Sequence, residues 1–546
     1  MKKTLILVLS VLLALSVFLF TGCKDKNETN VSGSGSSVAD VNDGSETGVG
    51  DNGTSPTKPG TSSMKPGTSS TKPGASSANP GTSSTKPGTS STKPGASSTK
   101  PGTSSTTDPG ADIPTVPGGD YPTTQDGDIW ISPTGNDANA GTKGSPLYSL
   151  AVAATKIKPG FTIFCMPGVY NYSSRVNLTS SGTSDKPITI QAYNWGNVEF
   201  NFSKQTPGNN SAAAIGVYLP GSYWKIQGIT ICYAGDNGMK IEGSYNYIGR
   251  CTFHHNLDTG LQMGFGHDAK NPDGTLCSNN LVENCDSYLN CDHDANYGAD
   301  ADGFACKMFP GKNNVFRGCR AWRNADDAWD LYEMDFSVLI ENCWAWESGK
   351  EEDFINGWVE KRVTSCGMSY RGNGSFNGNG NGIKLGGNSS NGVQIVKNCI
   401  AFGCNISGSV KGFDQNHNAG GINLYNCLAW DNGYNYMLDD SSRYGHIIKD
   451  SLSFNTDAYL TKIKKQNPGV GEVAGTASVT GCNFKLDGTD LVVDGSLPKL
   501  TENDFITIKE SDALAPRQAD GSLPNNGFGK LKSTSPYYGR GMGLLG

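Results

Sequence analysis

The sequence is poor in charge, and in positive charge above all. Charged residues make up only 17% of the 546 residues, and 44 Lys and Arg face 51 Asp and Glu, which gives a net charge of -7. Proteins that wrap nucleic acid neutralise its phosphates with clustered Lys and Arg, and the chain has no dense basic run. We therefore expect no nucleic acid partner.

Cysteine and histidine are also scarce. The 15 cysteines are too few for the disulfide scaffolds of small secreted proteins. No two of them have the Cys-x-x-Cys spacing of zinc sites, and the six histidines show no ligand spacing. These absences exclude a disulfide-rich module and leave zinc without support.

The first 23 residues have the pattern of an export signal. Two lysines precede an apolar run that ends in Phe-Thr-Gly-Cys at residues 20–23, like the cleavage site of a bacterial lipoprotein. A transmembrane anchor is the alternative, but the run is short for a bilayer, which needs about 20 apolar residues. A lipid on Cys23 would anchor the protein in the membrane. We expect an extracellular lipoprotein at the cell surface, or a secreted protein.

Residues 24–126 read as a spacer. They contain almost no large apolar side chains and repeat a seven-residue unit such as Thr-Lys-Pro-Gly-Thr-Ser-Ser. Such a segment cannot bury enough surface to offset chain entropy, so we expect it to be disordered. Its prolines predict a semi-rigid linker that holds the next domain away from the membrane.

The third segment, residues 127–546, is predicted to be the working domain. Apolar residues at helical spacing predict a helix over Leu147–Lys158 that caps one end. After it, short β-branched runs alternate with Gly and Asn clusters, which is typical of many short strands and tight turns.

A recurring motif runs through this domain: an apolar pair, then Asn or Gly, then Cys. It occurs at Cys285, Cys319, Cys343, Cys399 and Cys427, and with Cys251 and Cys366 added the shortest gaps are 23 and 24 residues. A period in the low twenties indicates a solenoid. Leucine-rich repeats need several leucines and a helix per unit, so an all-β, right-handed parallel β-helix fits better, with coils about 4.8 Å apart. The cysteines and asparagines are then predicted to form interior ladders.

Four aspartates fall into register in this helix. Asp302 and Asp326 are 24 residues apart, which is one coil, and Asp327 and Asp330 follow at once. Four carboxylates at one place would raise each other's pKa unless a cation lies among them. Ca²⁺ suits such a set because it accepts six to eight oxygen ligands.

Lys384 falls in the same column as Asp330. If residues 343–366 form a coil, Lys384 is two coils further on, about 10 Å away. A lysine that only holds a salt bridge is the alternative. Beside Ca²⁺ the pKa of this lysine should fall below its usual value of about 10.4, which would enlarge the neutral fraction that can accept a proton.

Five segments carry a resemblance to a known family. Ala301–Lys307, Asn314–Trp322, Asp326–Tyr332, Asn381–Gly387 and Lys411–Asn418 together resemble polysaccharide lyase family 9, the calcium-dependent pectate lyases, and the similarity extends over about residues 129–546. The resemblance implies that Asp302, Asp326, Asp327 and Asp330 bind calcium and that Lys384 is the catalytic base. Ala328 stands where this family usually has Gly, and the loop Lys350–Asp353 is unusually acidic.

The implied reaction is β-elimination in polygalacturonate. A cation on the C6 carboxylate stabilises the enediolate that forms when C5 loses its proton. Calcium would also join an acidic protein to an acidic polymer. Lys411, Arg371 and Lys307 are candidates for contacts with substrate carboxylates. We expect no organic cofactor and a monomer.

Two alternatives stay open. A β-helical glycoside hydrolase of the polygalacturonase kind would use paired carboxylates as acid and base, which leaves Lys384 without a role. A non-catalytic polysaccharide-binding solenoid at the cell surface would need no base. Only the lyase produces the ultraviolet absorbance of a conjugated C4–C5 double bond.

Overall fold

The computed structural model describes residues 120–208, 211–266, 269–293, 297–354, 357–368, 375–388, 390–454, 477–487 and 490–545. The predicted signal with Cys23, most of the predicted spacer and the candidate Arg371 lie outside the described residues. No helix in the described part of the chain is long and apolar enough to cross a bilayer.

Three parallel sheets form the body of the domain, and successive coils add short strands to each in turn. The first sheet contains Ile129–Ile131, Thr162–Cys165, Ile188–Ala192, Trp224–Gln227, Tyr247–Gly249, Leu281–Glu283, Asn314–Arg317, Val338–Glu341, Val393–Lys397, Gly421–Tyr425, His446–Lys449 and Ser478–Thr480. The second contains Val176–Asn177, Val217–Leu219, Met239–Ile241, Leu261–Met263, Phe304–Cys306, Trp329–Asp330, Ile383–Lys384, Lys411–Asp414 and Tyr434–Met437. The third contains Gly168–Asn171, Val198–Asn201, Ile229–Cys232, Thr252–His254, Asp286–Tyr288, Arg320–Trp322, Trp344–Trp346, Ile400–Phe402, Leu428–Trp430 and Leu452–Phe454. Phe484–Asp487 and Asp490–Val493 form a separate antiparallel pair. The predicted parallel β-helix is confirmed.

The corner between the first and third sheets explains the recurring motif. Asn284, with φ of 56°, occupies the left-handed region, which Asn and Gly tolerate better than other residues. The cysteine that follows points inward, and Cys285 is fully buried. The backbone N–H of Cys251 donates to Cys285 Sγ at 3.3 Å. The predicted interior cysteine ladder is therefore confirmed at this corner.

The interior asparagines are not those of the motif. Asn284 is half-buried at its turn, whereas Asn256, Asn290 and Asn324 are fully buried at the corner between the third and second sheets. Asn256 donates to Asn290 Oδ1 through its backbone N–H at 3.1 Å and its side-chain amide at 2.9 Å. Asn290 donates to Asn324 Oδ1 in the same way, at 3.3 and 2.9 Å. These three residues are called the asparagine ladder below.

Cys366 does not belong to the cysteine ladder, which is a correction to the predicted repeat. The backbone N–H of Cys343 donates to Cys399 Sγ at 3.3 Å, so these two residues lie on adjacent coils. Between the strands Trp344–Trp346 and Ile383–Lys384 the chain has an insertion, whose described residues 349–354, 357–368 and 375–380 add no strand to the three sheets and include the helix Trp358–Thr364.

The domain has two covering elements, one at its N-terminal end and one on its flank. The helix Leu150–Lys156 begins after Ser149, whose side chain accepts from the N–H of Val152. It is shorter than predicted because Leu147 bridges to the strand residue Ile131 instead. The C-terminal segment, with the short helix Glu510–Ala513, covers the flank of the β-helix, where it packs on an aromatic stack along the third sheet.

The asparagine ladder predicts a stability effect. Replacing Asn290 with Ala removes the acceptor for two donors of Asn256 and leaves them buried, so the Asn290→Ala variant should lose about 1–3 kcal/mol of unfolding free energy. Urea denaturation measures the loss. Asn171→Ala, at an exposed position, is the control and should change little. If the two variants were equally stable, the asparagine ladder would not contribute to the stability of the domain.

Candidate active site

The second sheet and the corner before it carry the predicted acidic residues. Asp302 precedes the strand Phe304–Cys306, and Asp326 precedes the next strand, Trp329–Asp330. Asn324 of the asparagine ladder lies two residues before Asp326, so the bonds that set the spacing of the coils also set the positions of these carboxylates.

Three carboxylates converge at this corner. Oxygens of Asp302, Asp326 and Asp327 lie within 4.8 Å of one another, and all three side chains are buried. The N–H of Asp327 donates to Asp302 Oδ1 at 3.2 Å, which ties the two coils together. Thr259, one coil earlier, donates its hydroxyl to Asp302 Oδ2 at 3.3 Å.

Asp330 and Lys384 adjoin this triad on adjacent rungs, where they are register partners. Lys384 Nζ lies 3.4 Å from Asp330 Oδ1 and 3.0 Å from Asp327 Oδ2. The predicted separation of about two coils is therefore wrong, because the insertion between Cys343 and Cys399 supplies no rung. The fourth aspartate lies outside the close triad and faces the lysines.

Burial and mutual repulsion shape the charges of the site. Burial raises the pKa of Asp302 to about 7. Burial and neighbouring carboxylates raise the pKa values of Asp326 and Asp327 as well. Burial alone would lower the pKa of Lys384, but Asp327 and Asp330 outweigh it and raise that pKa well above its ordinary value. Without another cation, the carboxylates hold this lysine in its charged form.

Backbone N–H groups at the end of the insertion and just after it donate hydrogen bonds to two of the carboxylates. Near its end, the backbone N–H of Asn379 donates to Asp326 Oδ1 at 2.6 Å, and just beyond it the N–H of Asn381 donates to Asp327 Oδ1 at 2.9 Å. The insertion is fastened at its helix by buried Arg362, whose guanidinium donates to the carbonyls of residues 202, 205 and 233 on earlier coils. Sequence reasoning missed these contacts, since backbone donors leave no motif.

The other predicted contact residues differ in their positions. Lys307 is 5% exposed, and its Nζ lies 2.6 Å from Asp302 Oδ2 and 3.5 Å from Asp330 Oδ2. At this position the ammonium group of Lys307 forms ion pairs with both carboxylates. Lys411 is more accessible and pairs with Asp414 at 3.3 Å. Arg371 lies outside the described residues.

Two further residues border Lys384 that sequence reasoning did not single out. Asp414 is its register partner on the next rung, and burial raises the pKa of that carboxyl. The Tyr332 ring centroid lies 6.0 Å from Lys384 Nζ. Both belong to the segments that carry the family resemblance, and the position of Asp414 in the column could have revealed it.

The donor set fits a hard divalent cation. Ca²⁺ prefers carboxylate and carbonyl oxygens, and the triad with adjoining Asp330 supplies oxygen ligands only. Asp327 Oδ2 and Asp330 Oδ1 are buried oxygens that accept no aligned hydrogen bond from the described residues. Both oxygens face Lys384 Nζ, so a metal ion that bound them would compete with this lysine.

Comparison with known proteins identifies relatives of the whole domain. Residues 129–451 match the family model described as Pel9A-like, right-handed β-helix region. Pectate lyase L of Dickeya chrysanthemi is 33% identical over 415 residues, 74% of this chain and 84% of the relative. Pectate lyase L of Paenibacillus polymyxa is 32% identical over 421 residues, 76% and 83% of the two chains. The crystal structure of pectate lyase Pel9A superposes with a TM-score of 0.57 at 31% identity, covering 75% of this chain and 90% of that one.

Removal of the buried amine of Lys307, which pairs with Asp302 and Asp330, should destabilise the domain. Lys307→Met leaves the carboxylates of Asp302 and Asp330 without this partner, so the unfolding free energy should fall by about 3–5 kcal/mol. Millimolar Ca²⁺ should restore part of it, which thermal unfolding with and without the ion measures. The exposed Lys312 on the neighbouring loop provides the control, Lys312→Met. A Lys307→Met variant as stable as this control would show that the ion pairs of Lys307 do not stabilise the domain.

Proposed function

The chain belongs to polysaccharide lyase family 9, the Pel9A-like β-helix lyases, and from this premise we propose that it cleaves polygalacturonate by calcium-assisted β-elimination with Lys384 as the base. The family makes the chain a polysaccharide lyase, and its relatives are pectate lyases. The ion, the base and the course of the reaction are the proposal.

One observation carries the proposal: the amine of Lys384, on a short strand of the second sheet, lies against a cluster of buried carboxylates. Lys384 Nζ is 3.0 Å from Asp327 and 3.4 Å from Asp330. A bound acidic sugar could thus place its carboxylate toward the cation site and its C5 hydrogen toward the amine.

Lys384 must be neutral to act as a base. The carboxylates now raise its pKa, but this effect weakens when their charge is compensated by another cation, and burial then lowers the pKa. When a cation binds to the four aspartates, they would therefore no longer keep Lys384 protonated, and the lysine would lose its proton. The ion pairs of Lys384 with Asp327 and Asp330 would thus couple cation binding to deprotonation of the base.

Asp302, Asp326 and Asp327 would hold the ion, with Asp330 beside them, and bound Ca²⁺ would stabilise negative charge on the substrate carboxylate. Lys384 Nζ takes the C5 proton. The electrons of the C5–H bond form the C4–C5 double bond, and the C4–O bond breaks. The departing glycan oxygen takes a proton from water, and the resulting hydroxide accepts the proton held by Lys384. This regenerates the base and leaves one new reducing end and one unsaturated uronide.

The polygalacturonase alternative has less support. A glycoside hydrolase needs one protonated and one free carboxyl group, about 5 to 9.5 Å apart across the scissile bond. Here the three closest carboxylates lie within 4.8 Å of one another, and two lysines pair with the set. The non-catalytic solenoid leaves the buried Lys384 unexplained.

We also propose the arrangement of the full chain. A lipid on Cys23 would anchor it at the cell surface, residues 24–126 would serve as the spacer, and residues 127–546 would form the catalytic domain. The domain would act as a monomer, since one chain supplies every group of the proposed site. Fatty-acid labelling of the wild-type chain and of Cys23→Ala tests the anchor.

Loss of the amine should abolish the reaction. Lys384→Met keeps the length of the side chain but cannot accept a proton, so kcat on polygalacturonate should fall by about 100- to 10,000-fold. The absorbance of the unsaturated product measures the rate at saturating calcium. Lys449→Met, at an exposed lysine on the first sheet, should retain full activity. A Lys384→Met enzyme within tenfold of wild type would exclude the lysine as base.

Removal of calcium should have the same effect by a different route. A chelator should stop product formation, and added Ca²⁺ should restore it. Calorimetric titration of the chelated protein should show a site that Asp326→Asn weakens by at least about tenfold, equal to about 1.4 kcal/mol. Asp335→Asn, at an exposed position, should bind like wild type. Full activity in chelator would overturn the calcium proposal.

A further inference from the structure

The outer face of the second sheet carries a column of residues that extends well beyond Lys384. Register pairs join Asn177, Tyr218, Lys240, Gln262, Ala305, Asp330, Lys384 and Asp414 in that order, one on each rung. Their strand neighbours Val217, Leu219, Met239 and Ile241 are core residues, so the column faces outward.

Arg175 lies over the far part of this column. Its guanidinium carbon is 4.7 Å from the centroid of the Tyr218 ring, and one N–H donates to the carbonyl of Ala212 at 2.5 Å. A stacked, partly bonded guanidinium has lost much of its rotational freedom, so less entropy remains to be lost when it binds an anion.

The positive charge of Arg175 is not compensated locally. Arg317, Arg320, Arg323 and Arg517 each pair with a carboxylate, whereas within the described chain no carboxylate lies within pairing distance of Arg175. Lys240, on the next rung, has Glu242 at 3.8 Å. Glu242 also accepts from the Tyr218 hydroxyl at 2.5 Å. Arg175 is therefore the cation of this region that is left to bind an external anion.

The distance from the proposed catalytic groups suits a polymer. Tyr218 is four rungs from Asp330, which is about 19 Å at the usual spacing of parallel strands. A uronan advances by about one rung per sugar unit. Gln262 and Ala305, in the middle of this stretch, are buried, so a polymer would pass over the residues that cover them. With one carboxylate at Asp330, it would bring another to Arg175 about four units away.

We propose that Arg175, which lies over the Tyr218 ring, forms a distal subsite that binds a carboxylate of the same polyuronate chain that Lys384 deprotonates. This inference rests on the proposed function. The guanidinium offers a planar fork of N–H donors that matches a carboxylate, and Tyr218 fixes its orientation. The subsite adds affinity for long chains and takes no part in bond cleavage.

Chain length provides the test. In Arg175→Ala the KM for octagalacturonate should rise about tenfold, as expected for the loss of one charge-assisted contact, with kcat unchanged. Trigalacturonate spans too few rungs to reach Arg175 from Lys384, so its kinetic constants should not change. The effect on the octamer should shrink at high salt because the contact is exposed to solvent.

Arg250 offers a matched control. It also stacks on an aromatic ring, with its guanidinium carbon 4.2 Å from Trp195, and also donates to a carbonyl, that of Ala519 at 3.4 Å. It follows the strand Tyr247–Gly249 of the first sheet. Arg250→Ala should leave the KM of both substrates unchanged.

The outcomes separate the two proposals. A wild-type enzyme that forms no unsaturated product from any galacturonan refutes the lyase mechanism. Normal cleavage together with an unchanged octamer KM in Arg175→Ala refutes the distal subsite alone. So does an equal rise for trimer and octamer, which would indicate a general disturbance. If Arg175→Ala does not fold, Arg175→Gln keeps a donor for Ala212 and should show the same chain-length effect, also in calorimetric binding of the octamer to the Lys384→Met background.

Discussion

Hydrogen bonding between coils is the constraint on which the rest of the molecule depends. Backbone bonds alone would allow neighbouring coils to slip, and a slip of one residue would reverse the faces of every side chain on a strand. The asparagine ladder fixes the corner because the buried amide oxygens of Asn290 and Asn324 each accept two donors from the coil before. Since Asp326 follows Asn324 by two residues, the same ladder brings Asp326 beside Asp302.

Placing several carboxylates together in the interior costs free energy, which other contacts of the fold must offset. Buried carboxylates are unfavourable unless cations or N–H donors face them. Lys307 and Lys384 supply the charge, and Asn379 and Asn381 supply backbone donors. The insertion therefore belongs to the site although it contributes no strand to the helix. Arg362 fastens the insertion to coils that precede the site, so the backbone donors that face the buried carboxylates are held in place.

Sequence reasoning reached the fold and the clustering of Asp302, Asp326 and Asp327 for physical reasons. A solenoid repeats its side-chain environments, so Asn or Gly before Cys285, Cys319 and Cys343 revealed one corner, and a 24-residue gap placed Asp302 beside Asp326. It misjudged Lys384 by one rung, because an insertion and a coil look alike when both contain a cysteine. It also assigned the interior ladder to the wrong asparagines, since a left-handed turn and a buried amide select the same residue type. The backbone donors of the insertion have no signature in side chains.

The outward column of the second sheet has an evolutionary consequence. Its accessible side chains stand on strands whose neighbours already fill the interior, so a substitution there changes recognition without repacking. Asn177, Tyr218 and Lys240 can thus be exchanged one at a time while the scaffold is preserved. A lineage of such proteins could acquire or lose preferences for particular glycan decorations by single mutations, each tested by selection independently of the others.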